Sequence, residues 1–167
     1  MENKTKIKLA SAVSLKDLLE KRISKINAII LRNNSVIKGD TRNVDIPELE
    51  EERRKKSELL IELHEKILEA NLRKLEGEEH SNAHYIKKKS ELERERIFLQ
   101  SLNVQHGKVL KGSNVIEYDA FLKESEVSKR LAKVLQEIEL LKNKLTLFNN
   151  TVEIELNHDP KSLDIIV

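Results

Sequence analysis

Apolar residues recur at alternating spacings of three and four along one C-terminal stretch, and this repeat constrains the fold more than any other feature. Such spacing places the side chains on one side of an α-helix, as in the seam of a coiled coil. It predicts a helix from about Asp119 to Thr151, roughly 50 Å long. The seam consists of Leu131, Val134, Ile138, Leu141, Leu145, Phe148 and Val152.

Three further helices are predicted upstream of this one. Their apolar residues also recur at helical spacing, and Asp45 and Ser81 are suitable N-cap residues for the second and third helices. Pro47 suits a first helical turn, and Gly77 is typical of a helix end. The predicted bounds are about Leu9–Arg32, Pro47–Gly77 and Ser81–His106. Four long helices predict an all-α fold, an antiparallel bundle with coiled-coil-like packing.

The C-terminal helix is the longest of the four, so a single subunit would leave part of its seam uncovered. This mismatch predicts a symmetric homo-oligomer. The candidate contact residues are Leu131, Val134, Ile138, Leu141, Leu145 and Phe148. A different protein partner is compatible with the same uncovered seam.

Two segments connect or follow the predicted helices. Residues 107–118 contain two short β-prone pieces around Lys-Gly-Ser-Asn, which fits either a small hairpin or an extended loop, and we expect the loop. Residues 153–167 include Pro160 and end in a short apolar run. We expect one helical-bundle domain over residues 1–152, followed by a tail that either docks on a neighbouring subunit or is disordered.

The composition agrees with long helices that have charged outer faces. Of the 167 residues, 38% are hydrophobic, 36% are charged and 3% are aromatic, which is unlike a β-sandwich or an α/β enzyme. The absence of cysteine excludes disulfides and thiolate chemistry. Net charge alternates along the chain, because residues 1–38 and 81–116 are basic whereas residues 39–80 and 117–167 are acidic. Helices of opposite charge can therefore lie side by side, within a subunit or across a subunit contact.

The N-terminal residues contain lysines but no apolar run followed by a cleavage site, so the sequence predicts no secretory signal and a cytoplasmic location. No stretch approaches the roughly 18 apolar residues that a membrane-spanning helix needs. Membrane contact stays open only through amphipathic helix faces.

No histidine belongs to a recognisable catalytic or metal-binding pattern. His80 and His84 are four residues apart, but a helix beginning at Ser81 would leave His80 outside it and break their shared face. The Glu-x-x-His spacing of di-iron bundles occurs once, at Glu155–His158, whereas such a site needs two copies. We therefore predict no catalytic residue, no metal and no cofactor, and a protein that is not an enzyme.

The charge pattern also argues against nucleic-acid binding. The pI is about 8.7 and residues 87–96 are basic. The neighbouring segments are acidic, however, and binding requires a basic surface that is not already neutralised. The few aromatic residues are dispersed along the chain and predict no platform for base stacking.

The stretch LRNNSVIKGD, residues 31–40, interrupts the apolar pattern after the first helix. A phosphate-binding loop would need several glycines with a helix start directly behind them. This stretch has one glycine, and the next helix starts only at about Pro47. It is therefore interpreted as a joint, with a polar site at Asn33 as the alternative.

Several residue groups along the chain follow the pattern of a known family. They are Leu9-Ala10, Leu15, Asp17-Leu18, Arg22-Ile23, Arg32-Asn33, Val36, Gly39-Asp40, Asp45, Ile67, Asn71, Leu75-Glu76-Gly77, Ser81, Ala83 and Asn149. In these positions, from about Lys8 to Thr151, the chain resembles the septicolysin-like family of small, mostly uncharacterised bacterial helical proteins. It departs from the family pattern at Leu68 and Asn150, where the family has asparagine and tryptophan, and in the third helix, where lysines replace an arginine-aspartate pair.

The resemblance implies an all-α fold and self-association, and it makes Asn33, Asn71 and Asn149 candidates for a polar site. Together with the seam, it predicts a self-associating helical protein with a structural or adaptor role. The family name indicates a cytolysin, so a membrane-active protein that uses amphipathic helices is one alternative. A nucleic-acid or small-ligand binding module is the other.

Overall fold

A computed structural model describes residues 4–38, 40–41 and 43–157. Its elements are β1 (Thr5–Lys8), α1 (Leu9–Asn33), α2 (Ile46–Asn71), α3 (Asn82–Ser101), β2 (Gly107–Lys111), β3 (Asn114–Tyr118), α4 (Glu124–Thr151) and β4 (Glu153–Leu156). All four predicted helices are present, but four short strands form two small antiparallel sheets. The protein is therefore mostly helical rather than purely all-α.

The chain divides into two compact units where a single bundle was expected. Unit 1 comprises the described residues within Met1–Gly77 and Leu147–Val167, and unit 2 comprises Glu78–Thr146. The expected domain boundary after residue 152 lies inside unit 1. The helix α4 supplies residues to both units, since the division falls within its last two turns.

In unit 1, α1 and α2 form an antiparallel helical pair. The backbone N–H of Leu9, at the start of α1, donates to the Val152 carbonyl at 2.8 Å. Arg73, just past the end of α2, donates to the Glu153 carbonyl at 3.5 Å. Because α1 begins where α2 ends, the two helices run in opposite directions. Their shared core contains Leu9, Ala12, Leu15, Leu19, Leu59, Leu63, Ala70, Phe148, Ile154 and Leu156.

A two-stranded sheet, β1 with β4, closes this core. In its register Ile7 pairs with Ile154, and Thr5 pairs with Leu156. Alternate residues of β4 are buried because side chains of a strand point to opposite faces. Glu62 on α2 accepts a hydrogen bond from the backbone N–H of Asn157 at 2.5 Å. The segment 153–157, expected to belong to a tail, is therefore part of unit 1, whereas the remainder of that tail, from residue 158, lies outside the described residues.

In unit 2, α3 packs against the part of α4 that ends at Thr146. Lys88, which precedes the α3 residues of the unit's apolar cluster, forms an ion pair at 3.7 Å with Glu137, which is adjacent to Ile138, the last α4 residue of that cluster. Leu99 and Val127 belong to that cluster. Since residues later in α3 meet residues earlier in α4, this pair is also antiparallel. The cluster consists of Leu99, Val127, Val134 and Ile138, with Leu92, Leu102, Val104, Leu122 and Leu131 packed around it.

Three helix ends differ from the predicted ones. The helix α2 ends at Asn71 rather than Gly77, and Gly77 forms a turn in the left-handed conformation with φ of 80°. The helix α3 ends at Ser101 rather than His106 because Leu102 is extended. The helix α4 begins at Glu124 rather than Asp119, after Lys123 donates its backbone N–H to the Glu126 carboxylate at 3.2 Å. That bond is one half of a capping box.

The segment 107–118 forms the hairpin that was one of two alternatives, and not the extended loop that was preferred. Strands β2 and β3 are antiparallel. Gly107 pairs with Tyr118 at one end of the hairpin, and Lys111 pairs with Asn114 at the other. A two-residue turn joins them, and Gly112 adopts φ of 62°. Tight hairpin turns require positive φ, which glycine tolerates. Gly39, expected to contribute to the joint after α1, lies outside the described residues.

We predict that β4 stabilises unit 1 through its buried side chains. Leu156→Ala removes a side chain that is fully buried, so the free energy of unfolding should fall by about 2–5 kcal/mol. Urea denaturation monitored by circular dichroism measures this loss. The control is Glu155→Ala on the exposed face of the same strand, with an expected change below about 1 kcal/mol. Equal effects of the two substitutions would contradict the packing of β4.

Candidate functional site

A group of polar and aromatic side chains in mutual contact lies in unit 2, at the start of α3. We call it the Tyr85 cluster, and it consists of Glu78, His80, His84, Tyr85 and Lys144. Tyr85 lies in the first turn of α3, Glu78 and His80 precede that helix, and Lys144 lies on α4. Ser81 is the N-cap residue, as predicted, although its side chain makes no capping hydrogen bond.

The Glu78 carboxylate is the centre of the Tyr85 cluster. It accepts a hydrogen bond from the Tyr85 hydroxyl at 2.5 Å. It also accepts two from the Lys144 ammonium, at 2.8 Å to Oε1 and 2.6 Å to Oε2. The same ammonium lies 5.0 Å from the centroid of the Tyr85 ring, within cation–π range. One carboxylate thus joins the start of α3 to α4.

The two histidines of the cluster are stacked. The His80 and His84 rings have centroids 4.0 Å apart and planes inclined by 23°, and the edge of Tyr85 meets both at 5.9–6.1 Å. The expectation that Ser81 would separate the two imidazoles is therefore wrong. His80 lies outside the helix, but the turn before Ser81 folds its ring back onto His84.

The stacked arrangement does not resemble a metal site. Nitrogen lone pairs lie in the plane of an imidazole ring, so two nearly parallel rings direct their lone pairs along separate lines rather than at one point. Within residues 4–38, 40–41 and 43–157, no three His, Asp or Glu side chains form a group that could hold a metal ion. Of the Glu155–His158 motif, Glu155 lies on β4 and His158 lies outside the described residues.

Hydrogen bonds within the cluster favour the charged forms of Glu78 and Lys144 and the neutral form of Tyr85. The hydrogen bond from Lys144, followed by that from Tyr85, lowers the pKa of Glu78. The hydrogen bond to Glu78 raises the pKa of Tyr85 and also that of Lys144. Each pKa is thus moved away from neutrality. A general acid or base works best with a pKa near the working pH, so these groups are arranged for a stable contact rather than for proton transfer.

The residues predicted to contact another subunit lie mainly in the chain's own core. Val134 and Ile138 pack in the apolar cluster of unit 2, and Phe148 packs in the core of unit 1. Leu141 is also buried, and Leu131 and Leu145 are half-buried. This corrects the proposed contact surface: the seam is covered within one chain, because different parts of α4 serve different cores.

The three candidate asparagines do not converge on one site. The Asn33 side chain donates to the Ile29 carbonyl at 2.8 Å, which satisfies a carbonyl at the end of α1. Asn71 is the last residue of α2, at the opposite end of the α1–α2 pair. Because α1 is about 36 Å long, Asn33 cannot share a small-ligand site with Asn71. Asn149 lies in the last turn of α4, three residues before Val152, at the same end as Asn71.

Sequence reasoning missed a second surface, which we call the α2 outer stripe: Ile61, Leu68 and Leu72. These side chains are 60%, 64% and 65% exposed. Their spacing of seven and four is visible in the sequence. Apolar residues on the buried side of α2 are interleaved with them, so the sequence does not show which of the two sets faces solvent. The Tyr85 cluster had no comparable signal, since Glu78 and Lys144 are 66 residues apart.

Comparison with known proteins identifies the fold and no function. A scan against protein-family models gave no match, and neither did a search of curated proteins. The structure is similar to the crystal structure of a functionally unknown conserved protein from Corynebacterium diphtheriae, with a TM-score of 0.78 and 19% sequence identity. The match covers 90% of this chain and 99% of that chain. Among the helices of the described residues, none has the length and apolar content to cross a membrane.

We predict that the link between Lys144 and Glu78 stabilises the fold in a pH-dependent manner. Lys144→Gln removes the charge that lowers the pKa of Glu78, so the substitution should reduce the urea midpoint at pH 7. A carboxyl whose pKa is lowered in the folded state stabilises that state above its unfolded pKa, near 4.5, and loses this contribution as the pH falls through its folded pKa. The difference between wild type and variant should therefore shrink below pH 4.5.

The matched control for this experiment is Lys142→Gln, on the same helix. Lys142 forms an ion pair with Glu139 of its own helix at 3.4 Å, and its effect on Glu93 of α3 is the smallest of the contributions that lower the pKa of that carboxyl; exposed pairs of this kind contribute little. A loss of stability for Lys144→Gln no larger than for Lys142→Gln, or one that is independent of pH, would show that the Glu78 link does not hold α3 to α4.

Proposed function

We propose that this protein is a self-associating structural or adaptor protein, and that the α2 outer stripe is a contact surface for a second copy of the chain. The supporting observation is that α2 is apolar on two opposite sides. Its inward side contributes Leu59, Leu63 and Ala70 to the core of unit 1. Its outward side carries Ile61 and Leu68, and Leu72, the C-cap residue in helical conformation, continues the row; each of the three is more than half exposed.

Helical geometry separates the two sides of α2 clearly. At about 100° per residue, the members of the outer stripe fall within about 40° of one another. They lie about 180° from the middle of the buried set. A helix on the surface of a monomer normally has one apolar stripe, and an additional exposed one is typical of a protein contact. The self-association first attributed to the α4 seam is therefore proposed for α2.

The charges beside the stripe favour a particular pairing. Glu58, Glu65 and Glu69 border it on one side, whereas Ser57 and His64 border it on the other. Two parallel α2 helices would place the acidic border of one copy against the Ser57 and His64 border of the other. An antiparallel pair would bring the two acidic borders together, and like charges opposite each other are unfavourable. We therefore infer a parallel pair related by a two-fold axis.

Two further observations support a binding role rather than catalysis. In the Tyr85 cluster, hydrogen bonds lower the pKa of Glu78 and raise the pKa values of Tyr85 and Lys144, so each of these three pKa values moves away from neutrality. The resemblance of the joint, with Arg32 and Asn33, and of Asn71 and Asn149 to the septicolysin-like family also supports membership in a family of self-associating helical proteins. Membership in that family is part of the proposal.

We predict that the wild-type protein forms an assembly that survives dilution, and that Ile61→Asp with Leu68→Asp lowers its mass at least twofold. The two aspartates place charges in the apolar contact, where they would be desolvated without partners. Light scattering coupled to size exclusion measures the mass against the 19.4 kDa chain. Circular dichroism should remain unchanged, since both positions are exposed.

The control for this pair is Leu31→Asp with Ile37→Asp, two exposed apolar positions in the same unit but outside the stripe. This variant should retain the wild-type mass. A wild-type protein that is monomeric throughout the dilution series would contradict the proposal. Release of dye from anionic liposomes by such a monomer would instead support the membrane-active alternative.

A further inference from the structure

The hairpin of β2 and β3 in unit 2 carries apolar side chains that its own chain leaves exposed. Leu110 and Val115, which pair across the two strands, are 71% and 62% exposed, and Ile116 is 40% exposed. The sheet has two strands, and in the described part of the chain no other element makes an extended contact with it. Apolar residues therefore reach solvent from both faces of the hairpin.

An isolated two-stranded hairpin is only marginally stable in water. Independent stability requires a third strand with an apolar face, or a covering helix. Each outer edge of the hairpin also presents backbone N–H and C=O groups that could pair with another strand. The simplest way to meet both needs is to add a strand at one edge.

The two edges are not equivalent. Strand β2 carries Lys108 and Lys111, and lysine on an edge strand discourages pairing with another chain. Strand β3 has the sequence NVIEY, without lysine or proline. Strand β3 carries a single charged residue, Glu117, so its edge is the less protected of the two.

We propose that β3 pairs antiparallel with β3 of a second copy, around a two-fold axis at Ile116. Ile116 is the middle residue of Asn114–Tyr118, so this register pairs all five residues of each strand. The result is a four-stranded sheet in the order β2, β3, β3, β2. Val109 pairs with Ile116 within one hairpin, so one apolar row would run through both hairpins, as Val109, Ile116, Ile116 and Val109.

The charges permit this register. Val115 of one copy lies opposite Glu117 of the other, so no like charges are directly opposed. Glu117 also lies opposite Lys108 within its own hairpin, which offsets its charge.

This inference rests on the proposed self-association and adds a second contact to it. The α2 outer stripe and the β3 edge are separate two-fold contacts in different units. A chain with two such contacts forms an assembly larger than a dimer. Breaking either contact should leave a dimer held by the other, and breaking both should leave a monomer.

The experiment measures mass by sedimentation velocity in the variant with Ile61→Asp and Leu68→Asp, where only the β3 contact should remain. This variant should form a dimer. Adding Val115→Glu places a glutamate opposite Glu117 of the second copy, twice by symmetry, and should weaken that dimer about tenfold or more, with partial recovery in high salt. Adding Val115→Lys places opposite charges together and should retain the dimer.

The matched control is Leu110→Glu, which alters the cross-strand neighbour of Val115 on the same face but on the protected strand. It should retain the dimer. A monomeric Ile61→Asp, Leu68→Asp variant derived from a dimeric wild type would overturn the β3 contact and uphold the α2 contact. An unchanged dimer after Val115→Glu would also overturn the β3 contact. The opposite result, in which only Val115→Glu lowers the wild-type mass, would uphold β3 and contradict α2.

Discussion

Unit 1 depends on the pairing of the first described strand with the last. β1 and β4 meet in register, and the backbone bond from Leu9 to Val152 continues the contact into α1 and α4. This closure brings Phe148, Ile154 and Leu156 onto the α1–α2 pair and completes its core. The entropic cost of closing such a long loop rises only slowly with its length, so the burial of these side chains can offset it. The whole of unit 2 is inserted in the chain between α2 and the last turn of α4.

The insertion explains why the α4 seam misled the prediction of its contacts. A regular apolar repeat shows that one side of a helix is buried, but it does not show what covers that side. Val134 and Ile138 pack against Leu99, whereas Phe148 packs in the other unit. A helix that serves two cores in succession needs an uninterrupted seam without any second subunit. The length of α4 therefore reflects the two units of the chain.

The sequence predicted the four helices because their apolar repeats are long. A short apolar run fits a helix or a strand equally well, whereas a long repeat at helical spacing fits only a helix. It placed the start of α2 well because Asp45 and Pro47 act through local chemistry, and Asp45 does accept the backbone N–H of Glu48 at 3.0 Å. It missed β4, although Val152, Ile154 and Leu156 alternate as a strand requires, because residues 153–167 follow the helical seam and include Pro160, a pattern that predicts a tail. The Tyr85 cluster could not be predicted, since it depends on a contact between Glu78 and Lys144 that no local spacing encodes.

The polar and apolar features of the structure have different roles in the proposed assembly. Where ionisable groups meet, as at Glu78, their hydrogen bonds fix their protonation and hold helices together. Where large apolar groups are exposed, as at Leu68 on α2 and Val115 on β3, they lie on regular elements whose geometry repeats in a second copy. In a dimer with two-fold symmetry, the same surface of both copies forms the contact, so neither surface needs a different complementary partner. The proposed self-association rests on these exposed apolar surfaces.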